Sequence, residues 1–119
     1  MMNNDITICK ANETHIDGIF NVSTLSFHIS WSIDSIKKEI VDNKNAIYIV
    51  AVKDNQVIGY GGSWVILDEG HITNIAISPK YRGMGIASLI LDNLMKSCKC
   101  CNVVSMTLEV RKSNIPAQN

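Results

Sequence analysis

Residues 75–87 read IAISPKYRGMGIA, where a β-like apolar run meets a glycine-rich turn that leads directly into a helix. In the first turn of a helix, unpaired backbone N–H groups and the positive end of the helix dipole bind phosphate oxygens without a charged side chain. Gly83 and Gly85 let the backbone approach such a ligand and adopt dihedral angles that a Cβ would forbid. The stretch therefore predicts an anion-binding cradle between a strand and a helix.

The sequence around the two glycines makes this prediction more specific. Pro79 ends the preceding strand. The following helix carries an apolar ladder, which consists of Ile86, Leu89, Ile90, Leu94 and Cys98. A dinucleotide-binding fingerprint fits less well, because the third glycine is missing and no early βαβ unit surrounds the turn. A glycine turn that starts a helix without binding any ligand is the other alternative.

Length and charge limit the classes of partner. The chain has 119 residues, of which 46% are hydrophobic, and this is enough for one domain with one core. Eleven basic residues balance eleven acidic ones, so the global charge favours neither nucleic acid nor an anionic membrane as a partner. We find no apolar run of transmembrane length in the sequence and no signal-peptide pattern at its start. A cytoplasmic location is the expectation.

The four cysteines do not have the spacing of a metal site. Cys98, Cys100 and Cys101 crowd one helix end without a nearby histidine, and Cys9 lies far away in the sequence. Zinc sites instead present two separated ligand pairs. We expect free thiols rather than a metal site or a disulfide.

The periodicity of apolar residues predicts elements in the order β, α, α, β, β, β, α, β, which is a mixed α/β layout. The first strand lies around Ile6 and Ile8. Thr14 and Asp17 are a candidate capping box for the first helix, and the second helix begins near Ser32. The later strands are predicted at residues 46–52, 57–66, 71–78 and 103–110.

Three glycines interrupt the strand predicted at residues 57–66. Gly59, Gly61 and Gly62 weaken a strand energetically and are typical of a bulge or a close backbone approach. Packing and ligand access both explain such an approach. Trp64, in the same strand, is expected in the core or at its rim rather than at a substrate.

The glycine turn resembles the acetyl-CoA pyrophosphate loop of the GNAT acetyltransferases, whose pattern is Gln or Arg, two residues, Gly, one residue, then Gly or Ala. Arg82, Gly85 and Ala87 match this pattern. Three further stretches resemble the RimI type of ribosomal-protein alanine N-acetyltransferase: Trp31-Ser32, HITNIA at residues 71–76, and LEVRKSN at residues 108–114. Ser30 stands where a proline often precedes the tryptophan in that family.

The resemblance implies a fold and a reaction. The fold is the three-layer GNAT architecture, with a central, mostly antiparallel sheet flanked by helices. The reaction is the transfer of acetyl from acetyl-CoA to the N-terminal α-amino group of a protein, by direct attack in a ternary complex. The implied partner is the N-terminus of a ribosomal protein. Two alternatives stay open: acetylation of a small-molecule amine, and a catalytically silent acetyl-CoA-binding fragment.

Family positions also assign roles to individual residues. Glu109 is the general base, and a strand-end salt bridge with Lys112 or Arg111 is its structural alternative. An α-ammonium has a pKa of about 7.7 to 8.0, so a carboxylate acting through water is a sufficient base. Attack on the thioester develops negative charge on the carbonyl oxygen, and the chemistry requires a donor at the strand end, for which the backbone N–H of Ile77 is the candidate. Trp31 and Asn74 are assigned to the acceptor.

Cofactor contacts follow from the same resemblance. The pantetheine arm is expected to pair with the backbone of Ile75, Ala76 and Ile77 in the manner of an added strand. The pyrophosphate is expected on the cradle residues, which are Arg82, Gly83, Met84, Gly85, Ile86, Ala87 and Ser88. Asn114 contacts the cofactor near its thioester and is also a competent helix N-cap.

The chain ends at Asn119, within the part of the family pattern that would form a helix with a Leu-Tyr pair and a closing hairpin. The expectation is one GNAT domain over residues 1–119 that is incomplete at its C-terminus and lacks the tyrosine that would protonate the CoA thiolate. An exchange between protomers is one way to cover the exposed strand edge. The oligomeric state is open.

Overall fold

The computed structural model describes residues 6–26, 32–100 and 103–108, which build one five-stranded sheet in the order β1-β2-β3-β4-β5. The strands are β1 (Thr7–Lys10), β2 (Ala46–Lys53), β3 (Gln56–Ile66), β4 (Glu69–Ile77) and β5 (Ser105–Leu108). Neighbouring strands are antiparallel from β1 to β4, whereas β4 and β5 are parallel. This sheet confirms the mixed α/β class that the sequence predicts.

Three helices complete the predicted element order: α1 (Ile16–Ser26), α2 (Ile33–Lys37) and α3 (Ile86–Lys99). A π-helical turn at Lys38–Asp42 continues α2. Ser32 caps α2, since its Oγ accepts from the Ser35 N–H at 3.1 Å. No helix in the described part of the chain is long and apolar enough to cross a membrane.

The capping box predicted for Thr14 and Asp17 is wrong. Asn12 caps the 3₁₀ turn that precedes α1: its Oδ1 accepts from the Thr14 N–H at 2.9 Å. Reciprocally, His15 Nδ1 accepts from the Asn12 N–H at 3.0 Å. The reason is the short 3₁₀ turn at Glu13–His15, which moves the start of helical structure upstream of the apolar periodicity.

Each face of the sheet buries one apolar layer, because successive side chains of a strand point to opposite faces. The α3 layer contains Ile47, Ile49, Ala51, Ile58, Ile72, Ile75, Ile77, Ile86, Ile90, Leu94 and Cys98. The layer under α1 and α2 contains Ile16, Ile19, Val22, Ile36, Tyr48, Val50, Tyr60 and Ala76. The α3 ladder is therefore spaced by four residues, and Leu89, which we expected within it, is 46% exposed.

The glycines of β3 allow close packing on both faces. A Cβ on Gly61 would lie 2.6 Å from Ile90 Cγ2, and one on Gly62 would lie 2.6 Å from the Tyr48 ring. The register of β3 against β4 also shifts between Gly62 and Ser63. Both signals of the glycine run, a bulge and a close approach, are thus present, and the approach is made by α3 and by Tyr48.

The second half of β4 is paired on one side. Its pairing with β5 runs from Glu69↔Ser105 to Ile72↔Leu108, whereas its pairing with β3 continues to Ile77. Among the described residues, the backbone beyond Ile72 therefore has β3 as its only neighbouring strand.

We expect Gly61→Ala to lower the free energy of unfolding by roughly 1–3 kcal/mol, because the new Cβ would overlap Ile90 Cγ2 at 2.6 Å. Ile90→Ala costs about 2–5 kcal/mol by itself, because it leaves a cavity. In the Ile90→Ala background, however, Gly61→Ala should cost at least about 0.5 kcal/mol less than in the wild type. Urea unfolding followed by circular dichroism measures all four proteins. Strictly additive costs would contradict the proposed contact.

Candidate functional site

The end of β4 presents backbone polar groups to the edge away from β3, which is open in the described part of the chain. Ser78 N donates to Ile58 O at 2.8 Å, so the N–H of Ser78 points towards β3. Since N–H directions alternate along a strand, the N–H and C=O of Ile77 point the other way, and those of Ile75 do the same. Ile77 lies directly opposite Gly59. Since Ser78 and Ile58 are hydrogen-bonded, Ile77 and Gly59 form a non-hydrogen-bonded pair. Ile75 and Ile77 thus offer hydrogen-bonding groups at the edge away from β3.

Arg82 ties the following turn to this edge. Its Nε donates to the Ile77 carbonyl at 3.1 Å, across the 3₁₀ turn of Pro79–Tyr81. The contact confirms the direction of the Ile77 carbonyl and holds the glycine turn beside the strand end. The structure thereby brings the predicted pantetheine and pyrophosphate segments together at one end of β4.

The glycine turn has the backbone that the sequence predicts. Gly83 has φ +80° and Gly85 has φ +79°, which is the left-handed region. A Cβ at either position would meet nothing within 4 Å. The requirement for glycine here is therefore conformational, and the space above both residues is open to a ligand.

The N-terminus of α3 also fits an anion. Gly85 is its N-cap and supplies no side-chain hydrogen bond. The first intrahelical bond runs from Leu89 N to Gly85 O at 3.3 Å, which leaves the N–H groups of Ile86, Ala87 and Ser88 without an intrahelical acceptor. Met84 and Ser88 are exposed, whereas Ile86 anchors the helix in the core.

A polar cluster lies on the other face of the sheet, under the π-helical turn. Glu39 Oε1 accepts from Trp64 Nε1 at 2.7 Å and from the Tyr48 hydroxyl at 3.3 Å. Glu39 Oε2 accepts from Asn43 Nδ2 at 2.7 Å. Asn74, on β4, pairs with Gly62, and a Cβ on Gly62 would lie 2.6 Å from the Tyr48 ring, so the Asn74 side chain is on this face of the sheet. Trp64 therefore lies at the rim of the core, as expected, with its indole N–H held by a carboxylate.

Sequence reasoning missed Glu39 and Tyr48. They are nine residues apart, and Glu39 and Trp64 are 25 apart, on three different elements. No local pattern relates positions so distant, because the contacts depend on how the π-helical turn sits over β2 and β3.

Burial keeps the two phenols of this layer protonated. The pKa of Tyr48 lies well above its usual range because of burial, and the charge of Glu39 raises it further. Burial also raises the pKa of Tyr60 to about 12, against the opposing effect of a hydrogen bond with Ser23. Their rings stack with centroids 6.5 Å apart. At neutral pH the Tyr48 hydroxyl is consequently a hydrogen-bond donor to Glu39.

We expect the stability of the protein to fall as the pH rises above about 10, where phenols of the unfolded chain ionise. The folded chain keeps the proton on Tyr60 to about pH 12 and the proton on Tyr48 longer, so the folded state binds more protons in that window. Below about pH 10 the phenols are protonated in both the folded and the unfolded chain, so their contribution to stability has its full value. Urea unfolding between pH 8 and 11 measures the slope, and Tyr48→Phe/Tyr60→Phe should flatten it. An unchanged slope in the double variant would contradict the buried, neutral phenols.

The remaining predicted residues divide into two groups. Asn74 is half-buried and lies on the same face of the sheet as the polar cluster. Glu109, Asn114 and Trp31 lie outside the described residues, as does Cys101. Of the other cysteines, Cys9 and Cys100 are free thiols, and Cys98 Sγ is buried 3.6 Å from Ser63 Oγ. The described residues contain no cluster of three or more His, Cys, Asp or Glu that could hold a metal ion.

Comparison with known proteins matches residues 16–119 to the family described as the acetyltransferase (GNAT) family. A Bacillus subtilis (strain 168) protein, provisionally named a ribosomal protein bS18-alanine N-acetyltransferase, is 39% identical over 103 residues, which cover 87% of this chain and 68% of that protein. The Haemophilus influenzae (strain Rd) ribosomal protein bS18-alanine N-acetyltransferase is 30% identical over 107 residues, which cover 90% and 72%.

A solved structure shows the same fold. The PaiA N-acetyltransferase from Thermoplasma acidophilum, crystallised in complex with coenzyme A, superposes with a TM-score of 0.82. The superposition covers 94% of this chain and 84% of that one, at 19% sequence identity. The sheet and its flanking helices therefore have the architecture expected from the glycine turn.

Proposed function

This chain belongs to the GNAT acetyltransferase family, and from that premise we propose that it acetylates the N-terminal α-amino group of a ribosomal-protein alanine. Family membership confirms that it is an N-acetyltransferase and that acetyl-CoA is its co-substrate. The observation that carries the choice of acceptor is the 39% identity, over 87% of the chain, with a protein provisionally named for that reaction. A ribosomal acceptor implies a cytoplasmic location.

The open edge of β4 supports the placement of acetyl-CoA. The N–H and C=O groups of Ile75 point to this edge, where they pair with the pantetheine arm as an added strand would. The N–H of Ile77 points to the same edge and is assigned to the thioester carbonyl. Ala76 supplies its side chain to the opposite layer. The residues therefore fit an extended ligand that lies along β4.

The glycine turn receives the pyrophosphate in this proposal. Gly83 and Gly85 leave open space above the backbone, and α3 offers the unpaired N–H groups of its first turn. Arg82 adds a positive charge at the start of the turn, with its Nε held by Ile77. No net charge on the chain is required, because the anion is bound by local dipoles.

The chemistry is a direct transfer. Glu109, acting through a water molecule, takes a proton from the α-ammonium, and the amine then attacks the thioester carbonyl carbon. The Ile77 N–H stabilises the negative charge that develops on the carbonyl oxygen. The C–N bond forms, the C–S bond breaks, and the attacking nitrogen loses its second proton, which the CoA thiolate takes up. Trp31 and Asn74 contact the acceptor, and Asn114 contacts the cofactor near its thioester; these roles, like that of Glu109, rest on the family resemblance.

We expect the chain to acetylate a peptide that carries the alanine-starting N-terminus of ribosomal protein bS18. Mass spectrometry of the peptide after incubation with acetyl-CoA should show the addition of one acetyl group at the α-amine. The same peptide with a blocked N-terminus is the matched control and should gain none. Preferred transfer to a polyamine or an aminoglycoside would overturn the proposed acceptor. Binding of acetyl-CoA without transfer to any amine would identify a silent binding fragment instead.

Two variants should separate binding from turnover. Gly85→Val forces a β-branched residue into φ +79° and fills the open space, so its affinity for acetyl-CoA should fall by at least about tenfold in calorimetry. Glu109→Gln should keep that affinity and lose roughly 10²–10⁴ in kcat. Each variant is the control for the other, and circular dichroism checks that both fold. Preserved affinity in Gly85→Val would remove the cradle from the proposal, and unchanged kcat in Glu109→Gln would remove the base.

A further inference from the structure

We propose that Glu39 and Trp64 form a binding site for a cationic side chain of the acceptor protein, an arginine or a lysine a few residues after the acetylated N-terminus. The indole ring takes the cation on its face, and the carboxylate pairs with its charge. The inference rests on the proposed function, because it concerns the acceptor of that transfer.

Glu39 is a half-buried carboxylate that has hydrogen-bond donors but no cation. Its Oε1 accepts from Trp64 Nε1 at 2.7 Å and from the Tyr48 hydroxyl at 3.3 Å, and its Oε2 accepts from Asn43 Nδ2 at 2.7 Å. All three donors are neutral. In the part of the chain that the structure describes, no lysine, arginine or histidine forms an ion pair with Glu39. The carboxylate is therefore fixed in place, keeps one unused lone pair on Oε2, and lacks the cation that a half-buried charge favours.

Trp64 supplies an aromatic surface beside this carboxylate. Its side chain lies at the rim of the core, where it packs on one side and stays 38% exposed on the other. The indole N–H is its only polar group and is held by Glu39, so the exposed surface belongs to the ring. Tryptophan is the best of the aromatic side chains for binding a cation on its face. A planar guanidinium that stacks on the ring also keeps its N–H groups available to a carboxylate at the ring edge.

The neighbouring strand adds negative charge on the same face. His71 lies opposite Trp64 in the pairing of β3 with β4, and cross-strand partners share a face. Glu69 precedes His71 by two residues, and its Oε1 lies 3.4 Å from His71 Nε2. The Glu69 side chain is 57% exposed. A basic partner complements this surface, and a ribosomal acceptor fits because proteins that contact RNA phosphates do so with lysine and arginine.

An acceptor chain bound for transfer can reach this site. The proposed cofactor occupies β4 from Ile75 onward, and the α3 layer fills the other face of the sheet. The acceptor must then leave on the face of α1 and α2, towards the start of β4. Trp64 is opposite His71, which precedes Ile77 by about six residues, or roughly 20 Å of strand. An extended acceptor spans this distance in about six residues, and a long side chain covers part of it, so the cation is expected at about position four to six.

The test uses alanine-starting peptides of glycine and serine, about ten residues long, with one arginine placed at each position from three to seven. Each has a twin in which citrulline, a neutral isostere, replaces the arginine. For the wild type, the KM of the arginine peptide should be about tenfold lower than that of its twin at about positions four to six. Glu39→Gln should raise the KM of the arginine peptide to that of the twin, with an unchanged Kd for acetyl-CoA.

Two further variants complete the comparison. Trp64→Leu removes the ring and should also abolish the difference between the twins, which keeps the test decisive if Glu39→Gln does not fold. Glu13→Gln removes the same charge at an exposed position before α1, and this matched control should keep the difference.

The failure of the site differs from the failure of the proposed function. Equal KM values for all twins in the wild type would overturn the site and leave the transfer intact, and so would a difference that persists in both Glu39→Gln and Trp64→Leu. A wild type that acetylates none of the peptides would overturn the proposed function. In that case calorimetry of the same peptides with the CoA-loaded protein decides the site: tighter binding of an arginine peptide that Glu39→Gln abolishes supports it, and equal binding of the twins overturns it.

Discussion

Among the described residues, backbone hydrogen bonding at the end of β4 goes in one direction, towards β3, and the arrangement of the candidate site depends on this. The alternation that pairs Ser78 with Ile58 turns the polar groups of Ile77 and Ile75 to the opposite edge. Buried backbone groups are costly when unpaired, so such an edge is stable only with a partner or with access to solvent. Arg82 satisfies the Ile77 carbonyl, and the proposed cofactor arm would satisfy the rest.

Packing under the sheet places the glycine turn at this edge. Gly59 and Gly61 let Ile77 and Ile90 approach β3 more closely than any Cβ would permit. The buried ladder of α3 then holds the helix against the sheet, and its N-terminus emerges beside the end of β4. The interior glycines, which weaken the strand by themselves, thus allow the glycine turn to lie beside the edge of β4 that faces away from β3.

The layer under α1 and α2 differs from the α3 layer because it also buries polar side chains. Tyr48 and Tyr60 are kept neutral by burial, and Glu39 gathers three donors from separate elements. A carboxylate held in this way fixes the direction of every hydrogen bond that it accepts. One layer therefore supplies rigidity and carries the glycine turn, and the other supplies buried polar groups with fixed hydrogen-bond partners.

The sequence by itself determined the order of strands and helices and the position of the glycine turn, because both depend on residues close together in the chain. Pro79, Gly83 and Gly85 specify a strand end and left-handed turn positions through their own dihedral preferences, and apolar periodicity marks the strands and helices. Two of these local predictions were wrong. Asn12, not Thr14, caps the first helical turn, and Leu89 is exposed rather than part of the buried ladder of α3.

Only the tertiary structure decided which faces the side chains occupy and which of them meet. Ile72 and Ile75 are three residues apart, yet both pack in the α3 layer, because the register shift opposite Gly62 inserts Thr73 as an extra residue. That shift also puts Asn74 on the face of Tyr48. A period-two pattern cannot encode a bulge made with a neighbouring strand, and no spacing along the chain relates Glu39 to Tyr48 and Trp64. The backbone of the glycine turn could therefore be predicted from residues adjacent in sequence, whereas the polar cluster around Glu39 exists only after β2, β3 and the π-helical turn have packed together.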